Sequence, residues 1–302
     1  MYKPEILSLY HYQSLELKSS SPSDFKERGI LLADGIYLDK YKIEPLLSRQ
    51  AFFSSLSNYN DPFEGEIDIE TSPDDAEIIC NLLKNSEVIS RMNTKLMPDE
   101  NIREELKATL SDYSPALSSG IQENLKSNIG FYCLTPINND MLMWAHYADN
   151  HNGIALEFDR TPDSVCGSLT FEVDYFDEPP KVDLSSMLSD FYRYSPEMSN
   201  QERARVVFDS SLRKLLYSKK KVWVSENEWR TSNDVGLHPM PGKLKSIIFG
   251  LNCNLEIVKY LREQPELNDV EFKFIKKCPK TYSFQIIDSI NSDLIYHLYN
   301  NV

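Results

Sequence analysis

Lys221-Val222-Trp223-Val224-Ser225-Glu226-Asn227-Glu228-Trp229-Arg230 begins with strand-favouring residues and breaks up at Ser232-Asn233-Asp234. This composition predicts a strand. Alternation then places Val222, Val224, Glu226, Glu228 and Arg230 on one face, and Trp223, Ser225, Asn227 and Trp229 on the other. Two carboxylates two residues apart on one face repel each other, and the neighbouring Arg230 relieves part of that repulsion. Such a face serves a catalytic carboxylate, or equally a solvated edge strand whose charges discourage aggregation.

Upstream of this run, 185–219 reads as helical with a break around Ser195-Pro196, and Phe171 to Phe176 as a strand closed by Pro179-Pro180. Gly153 to Asp159 alternates as a half-buried strand, with Ile154, Leu156 and Phe158 inward and Glu157 and Asp159 outward. Asn138-Asn139-Asp140 is placed to cap a helix from Met141 to Asp149. Gly130 to Leu134 is an apolar strand, and 74–128 carries apolar residues at helical three- and four-residue steps. Nearer the start, strands are expected at Ile6 to Tyr12, Ile36 to Leu38 and Gln50 to Ser55, a short helix at Ser23 to Gly29, and a loop at Asn58 to Gly65. Downstream, strands are expected at Leu244 to Leu251, Asp269 to Ile275 and Ser283 to Ile287, with an amphipathic helix at Asn254 to Gln264. About ten short strands with helical insertions at about 74–128 and 185–219 make one α+β domain over 1–302, built on central mixed or antiparallel sheets.

The 302 residues suffice to bury a substantial core. A net charge of −14, from 32 basic and 46 acidic side chains, disfavours non-specific nucleic-acid binding. Lys214, Lys219, Lys220 and Lys221 form one basic cluster, which reads as a solvated helix end. The five cysteines are dispersed, without C-x-x-C or zinc spacing, and suit a reducing cytoplasm. Met1 to Glu5 lacks the apolar stretch of a signal peptide, and no apolar run reaches membrane-spanning length. A soluble, cytoplasmic protein is expected.

Four segments mix ionisable groups with aromatic ones, the composition of a ligand pocket: Tyr10-His11-Tyr12, the Asn58 to Glu64 loop, Trp144-Ala145-His146-Tyr147, and the Glu226/Glu228 run. On its helix His146 lies about 200° round from Trp144. An arrangement that buries Trp144 and Tyr147 therefore presents His146 to a cleft. Asp61, Glu64, His146 and Glu228 could supply a two-metal hydrolase, although H-x-x-x-H and D-x-D are absent. There is no glycine-rich phosphate loop and no G-x-S-x-G.

Read in order, Leu9-Tyr10-His11-Tyr12, Asn60-Asp61-Pro62-Phe63-Glu64, Met143 to Asp149, Gly153 to Asp159 and Glu226-Asn227-Glu228-Trp229-Arg230 resemble a widespread bacterial domain-of-unknown-function family. Its recurring strings are similar to LYKY, FNDPFE, MWSHYA, GhxhEFD and ENEWR. His11 stands where that family usually has lysine, and Tyr59 where it usually has phenylalanine. No activity comes with this resemblance.

A weaker resemblance does imply one. His11, Phe53-Ser54-Ser55 and Glu226-Asn227-Glu228 follow the order of the ADP-ribosyltransferase motifs, although Ser-Ser-Leu-Ser is not Ser-Thr-Ser and the spacing from His11 to Glu228 is long. The resemblance implies NAD as substrate, with the nicotinamide–ribose bond cleaved through an oxocarbenium-like state that a carboxylate stabilises. It makes Glu228 catalytic, has Glu226 orient the acceptor, and puts His11 on the nicotinamide ribose with Ser54 behind it. His146 joins the catalytic set, and Tyr12, Asn60, Asp61, Tyr147 and Arg230 complete the expected nucleotide pocket; no resident metal is expected. Three functions follow: an NAD-dependent ADP-ribosyltransferase-like enzyme of defence or toxin type, a metal-dependent hydrolase of nucleotides or nucleic acid, and a non-catalytic ligand-binding protein. The partner in the first is a small nucleotide substrate, with no acceptor identified.

Overall fold

The structure is a computed structural model that describes residues 3–32, 35–72, 75, 77, 119–120, 122–193, 198–199, 202, 206 and 210–288. It is an α+β chain of several small sheets. Its early strands are β1 (Ser8–Gln13), β2 (Gly29–Leu31), β3 (Tyr37–Asp39), β4 (Gln50–Ser55) and β5 (Asp68–Glu70). Then come β6 (Ile129–Leu134), β7 (Ile154–Asp159), β8 (Thr170–Glu172), β9 (Asp174–Phe176), β10 (Lys181–Asp183) and β11 (Ser218–Lys220). The last are β12 (Trp229–Asp234), β13 (Gly236–Pro239), β14 (Leu244–Phe249), β15 (Glu271–Lys277) and β16 (Phe284–Asp288). The helices are α1 (Pro22–Arg28), α2 (Lys40–Leu47), α3 (Met141–His146), α4 (Val165–Ser168), α5 (Leu184–Arg193), α6 (Leu212–Leu216) and α7 (Leu255–Arg262).

The backbone divides into two compact units. One comprises Met1–Phe53, Tyr132–Glu172 and Ser225–Val302; the other comprises Ser54–Phe131 and Val173–Val224. Both stretches read as helical insertions fall within the second unit. Most of 74–128 and part of 185–219 lie outside the described residues.

The first unit is organised by a five-stranded sheet of order β1-β7-β14-β15-β16, in which only β14 and β15 run parallel. β7 is buried along all but its last residue, because both sheet faces are covered. Leu9, Leu156, Phe158, Ile247 and Phe274 face a core shared with Phe53, Tyr132 and Trp229 of a second sheet, whose order is β13-β4-β6-β12-β8. Phe249 stacks between Phe272 and Phe274 at ring separations of 5.8 and 5.2 Å, a burial contributing about 2–3 kcal/mol. α7 lays Ile257, Val258 and Leu261 on this core, with Asn254 capping its first turn through Glu256 N–H. On the opposite face of the first sheet, Tyr12, Ala155, Ile248 and Ile275 pack against Trp144 and Ala148 of the α3 segment.

α3 starts as the sequence implies, with Asp140 accepting from the Leu142 and Met143 amides. It stops sooner, because Asp149, Asn150 and His151 all take positive φ (50°, 53° and 69°). Asn and Asp tolerate that conformation better than most side chains, through local hydrogen bonding. The turn delivers the chain to Gly153, where an added Cβ would lie 2.3 Å from the Gln13 carbonyl oxygen. Only glycine fits so close to the end of β1.

The second unit contains two parallel two-stranded ladders, β5 with β10 and β9 with β11. Its Asn58 to Gly65 segment is made of tight turns, with Asp61 Oδ1 accepting from the Phe63 amide at 2.9 Å.

The run 221–230 is not one strand. Lys221–Glu226 is a 3-10 helix, Asn227 has φ 44°, and extended pairing starts at Trp229. β11 ends at Lys220 because its partner β9 ends at Phe176, ahead of Asp177-Glu178-Pro179-Pro180. Without a ladder the alternating valines have nothing to cover them, and Val222 and Val224 are exposed. The expectation of Glu226 and Glu228 sharing one strand face fails for this reason. A second correction concerns Glu157, expected to face solvent but only 5% exposed, since its side of β7 is the covered opposite face.

Candidate ligand cavity and buried ion pairs

The sequence-derived site residues separate into groups. In the first unit Tyr147 Oη donates to Glu226 Oε1 at 2.5 Å. Arg230 grips Glu228 through Nε to Oε1 at 2.7 Å and Nη2 to Oε2 at 3.2 Å. Glu226, Glu228 and Arg230 are all buried, so these carboxylates are engaged by the protein itself. His146 is exposed, as the helix geometry required, while Trp144 is fully buried and Tyr147 half-buried. Tyr12 is a core residue: its hydroxyl donates to the Ile137 carbonyl at 2.9 Å, and its ring meets Trp144 edge-on at 5.0 Å.

His11 immediately precedes Tyr12 in β1 and therefore points to the other side. The sheet separates His11 from Tyr147, which packs with Tyr12 and Trp144. Ser54, Asn60 and Asp61 belong to the second unit, where Ser54 is half-buried, Asn60 exposed and Asp61 buried. Of the hydrolase set, Asp61 and Glu64 lie in the second unit and His146 and Glu228 in the first. Among the described residues no group of three or more His, Cys, Asp or Glu side chains is placed to hold a metal ion.

His11 lines a cavity of about 420 Å³ in the first unit, together with Gln13, Arg28, Asp39, Tyr41, Lys42, Gln50, Phe52, Tyr132 and four apolar or small side chains as well as Leu156. That volume suits a small organic ligand. Tyr132 stacks on the His11 ring at 4.1 Å with an interplanar angle of 23°. Asp39 is fully committed: Arg28 engages both its oxygens, and it caps α2 through the Tyr41 amide at 3.1 Å. Lys42 is the contrast. It is half-buried and has no hydrogen-bond or ion-pair partner among the described residues. Burial pushes its ammonium below the ordinary lysine range, against the more distant pull of Asp39 and Asp149. With Arg28 neutralised by Asp39, Lys42 leaves the cavity one positive charge in excess.

His11 itself stays neutral. Burial, aided by Lys42, lowers it to about 4, despite the hydrogen bond from Nδ1 to the Cys133 carbonyl at 2.8 Å. No motif marks Lys42, and Arg28 and Tyr132 lie in stretches that read as an ordinary short helix and an apolar strand.

A second buried charge centre was also not anticipated. On the opposite face of the first sheet Glu157 accepts from Ser8 at 2.9 Å, Ser246 at 2.5 Å and Lys273 at 2.8 Å, with Lys245 at 3.4 Å. The strand register brings these together, since Glu157 stands opposite Tyr10 in β1 and Ser246 in β14.

Fold and cavity together define an α+β protein with a cation-bearing, aromatic-lined cavity in its first unit. Residues 143–231 match a family described as a protein of unknown function (DUF2971). That span contains Tyr147, Glu157, Glu226, Glu228 and Arg230, but of the cavity only Leu156. No curated protein and no solved structure matches the chain. Among the described residues no helix is long and apolar enough to cross a membrane.

Proposed function

We propose that this protein binds an anionic, ring-bearing small molecule of nucleotide type in the cavity around His11. The observation that carries the reading is Lys42, a half-buried ammonium without a hydrogen-bond or ion-pair partner among the described residues, facing the same cavity as the Tyr132–His11 stack. A desolvated charge is costly unless paired, and an anionic ligand group supplies the missing partner. Tyr41 and Phe52, both exposed, offer flat apolar surface for a ring. Calorimetric titration with adenosine and cytidine 5′-phosphates, ADP-ribose and NAD tests this. Binding that Lys42→Met weakens at least about tenfold is expected; an unchanged affinity in that variant, or no binding of any of them, refutes it.

NAD-dependent ADP-ribosyl transfer, of the defence or toxin type, is the catalytic form of the same reading, favoured by His11 lining the cavity. It needs a carboxylate at the ribose. The cavity's own acid, Asp39, is held by Arg28 and a helix amide, and Glu226 and Glu228 are held by Tyr147 and Arg230. Binding without turnover is therefore the better-supported form. Release of nicotinamide from NAD by the purified protein would reverse that order.

A further inference from the structure

The tautomer of His11 is fixed by its surroundings. A main-chain carbonyl only accepts, so the 2.8 Å contact with the Cys133 carbonyl places the proton on Nδ1. Stacking on Tyr132 holds the ring plane in place. Nε2 is then an acceptor, and it has no hydrogen-bond partner among the described residues. Nor is it among the buried polar atoms left unsatisfied, so it retains access to solvent, and the side chain lines the cavity. The ring remains neutral down to about pH 4, so this acceptor persists across the physiological range.

From this geometry we infer that His11 is a specificity-determining residue, whose Nε2 accepts a hydrogen bond from an exocyclic amine on the ligand's heterocycle. The cavity then selects aminated bases bearing an anionic group, of the adenine or cytosine nucleotide class, over the same rings without the amine. The donor requirement is sharp because a bound ring that lacks the amine strips water from Nε2 and returns nothing. The inference rests on the nucleotide-binding reading above. Lys42 answers the charge of the ligand and His11 the edge of its ring.

Calorimetry on the full chain with two matched pairs separates the two levels: adenosine against purine riboside 5′-monophosphate, and cytidine against 2-pyrimidinone riboside 5′-monophosphate. At least one aminated nucleotide is expected to bind about tenfold or more tighter than its partner lacking the amine. His11→Phe, which keeps a ring to stack on Tyr132, is expected to abolish that preference. Equal affinities within each pair for the unaltered protein overturn the role of His11 while leaving the cavity's function standing. Failure of all four nucleotides, and of ADP-ribose and NAD, to bind overturns both. The comparison in the unaltered protein does not depend on the variant folding.

Discussion

Arg230 is wholly buried and holds both carboxylate oxygens of Glu228, two residues before it in the chain. The pair sits at the start of β12, where the extended backbone puts alternate side chains on one side. A charge pair taken so far out of water is strongly interdependent: removing one partner strands the other. Arg230→Met is expected to lower unfolding free energy by about 3–5 kcal/mol. Urea denaturation should also show the double variant with Glu228→Gln losing less than the sum of the two single changes. An additive double variant would mean that the two groups do not support each other.

Glu157 should behave as a second stability centre. Burial pushes its carboxyl up, but hydrogen bonds from Lys273, Ser246 and Ser8 outweigh that and hold it at about 2. Its folded value is depressed, so its contribution is complete above the unfolded value of 4.5 and is lost as pH falls from there towards 2. Glu157→Gln should cost about 3 kcal/mol at neutral pH and flatten the acid limb of the stability curve below pH 4.5. A parallel, merely shifted limb would count against this.

His11 acts in a different window. Its folded value near 4 lies below the ordinary 6.5, so the unfolded chain takes up a proton that the folded one refuses. Stability therefore declines as pH falls from 6.5 to about 4. His11→Phe should remove that decline and leave the steeper loss below it in place, as followed by thermal melts across a pH series.

Lys42 is predicted to be dispensable for folding. Replacing a half-buried charge that has no partner among the described residues with methionine removes a desolvation cost and should leave stability equal or raise it by up to about 1 kcal/mol. Because burial lowers its ammonium, anion binding in the cavity should also fade at a lower pH than an ordinary lysine would allow. Affinities measured from pH 7 upward, against the Lys42→Met baseline, test this.

The left-handed turn after α3 offers a gain rather than a loss. Asn150 has φ 53° between two residues that also have positive φ. Asn150→Gly relieves the steric cost of a side chain there and is expected to leave stability equal or raise it by up to about 1 kcal/mol. Asn150→Val should lower it by more than 1 kcal/mol, roughly. Differential scanning calorimetry of the two variants decides the matter.

Local pattern accounts for much of what was legible. Apolar runs and turn residues located β4, β6, β7, β14 and α7 within a few residues, because each has its own periodicity and its own cap or stop. Lys221 to Glu226 departs from its local pattern: its valines and tryptophan favour a strand, yet strand formation needs a partner, and β9 stops too early to supply one. The burial of Glu157 is not legible locally, because alternation tells which residues share a face but not how many faces are covered.

The sequence by itself determined the α+β class, the main strand and helix positions, and the pairing of Glu228 with Arg230, all of which follow from contacts a few residues apart. Only the tertiary structure decided that His11 and Tyr147 lie on opposite sides of a sheet, that Glu157 is enclosed by Ser8, Ser246 and Lys273, and that Lys42 faces the His11 cavity with no ion-pair partner among the described residues. These relations join residues from different strands and helices. Strand register and layer packing set them, and neither is written in any short stretch of the chain.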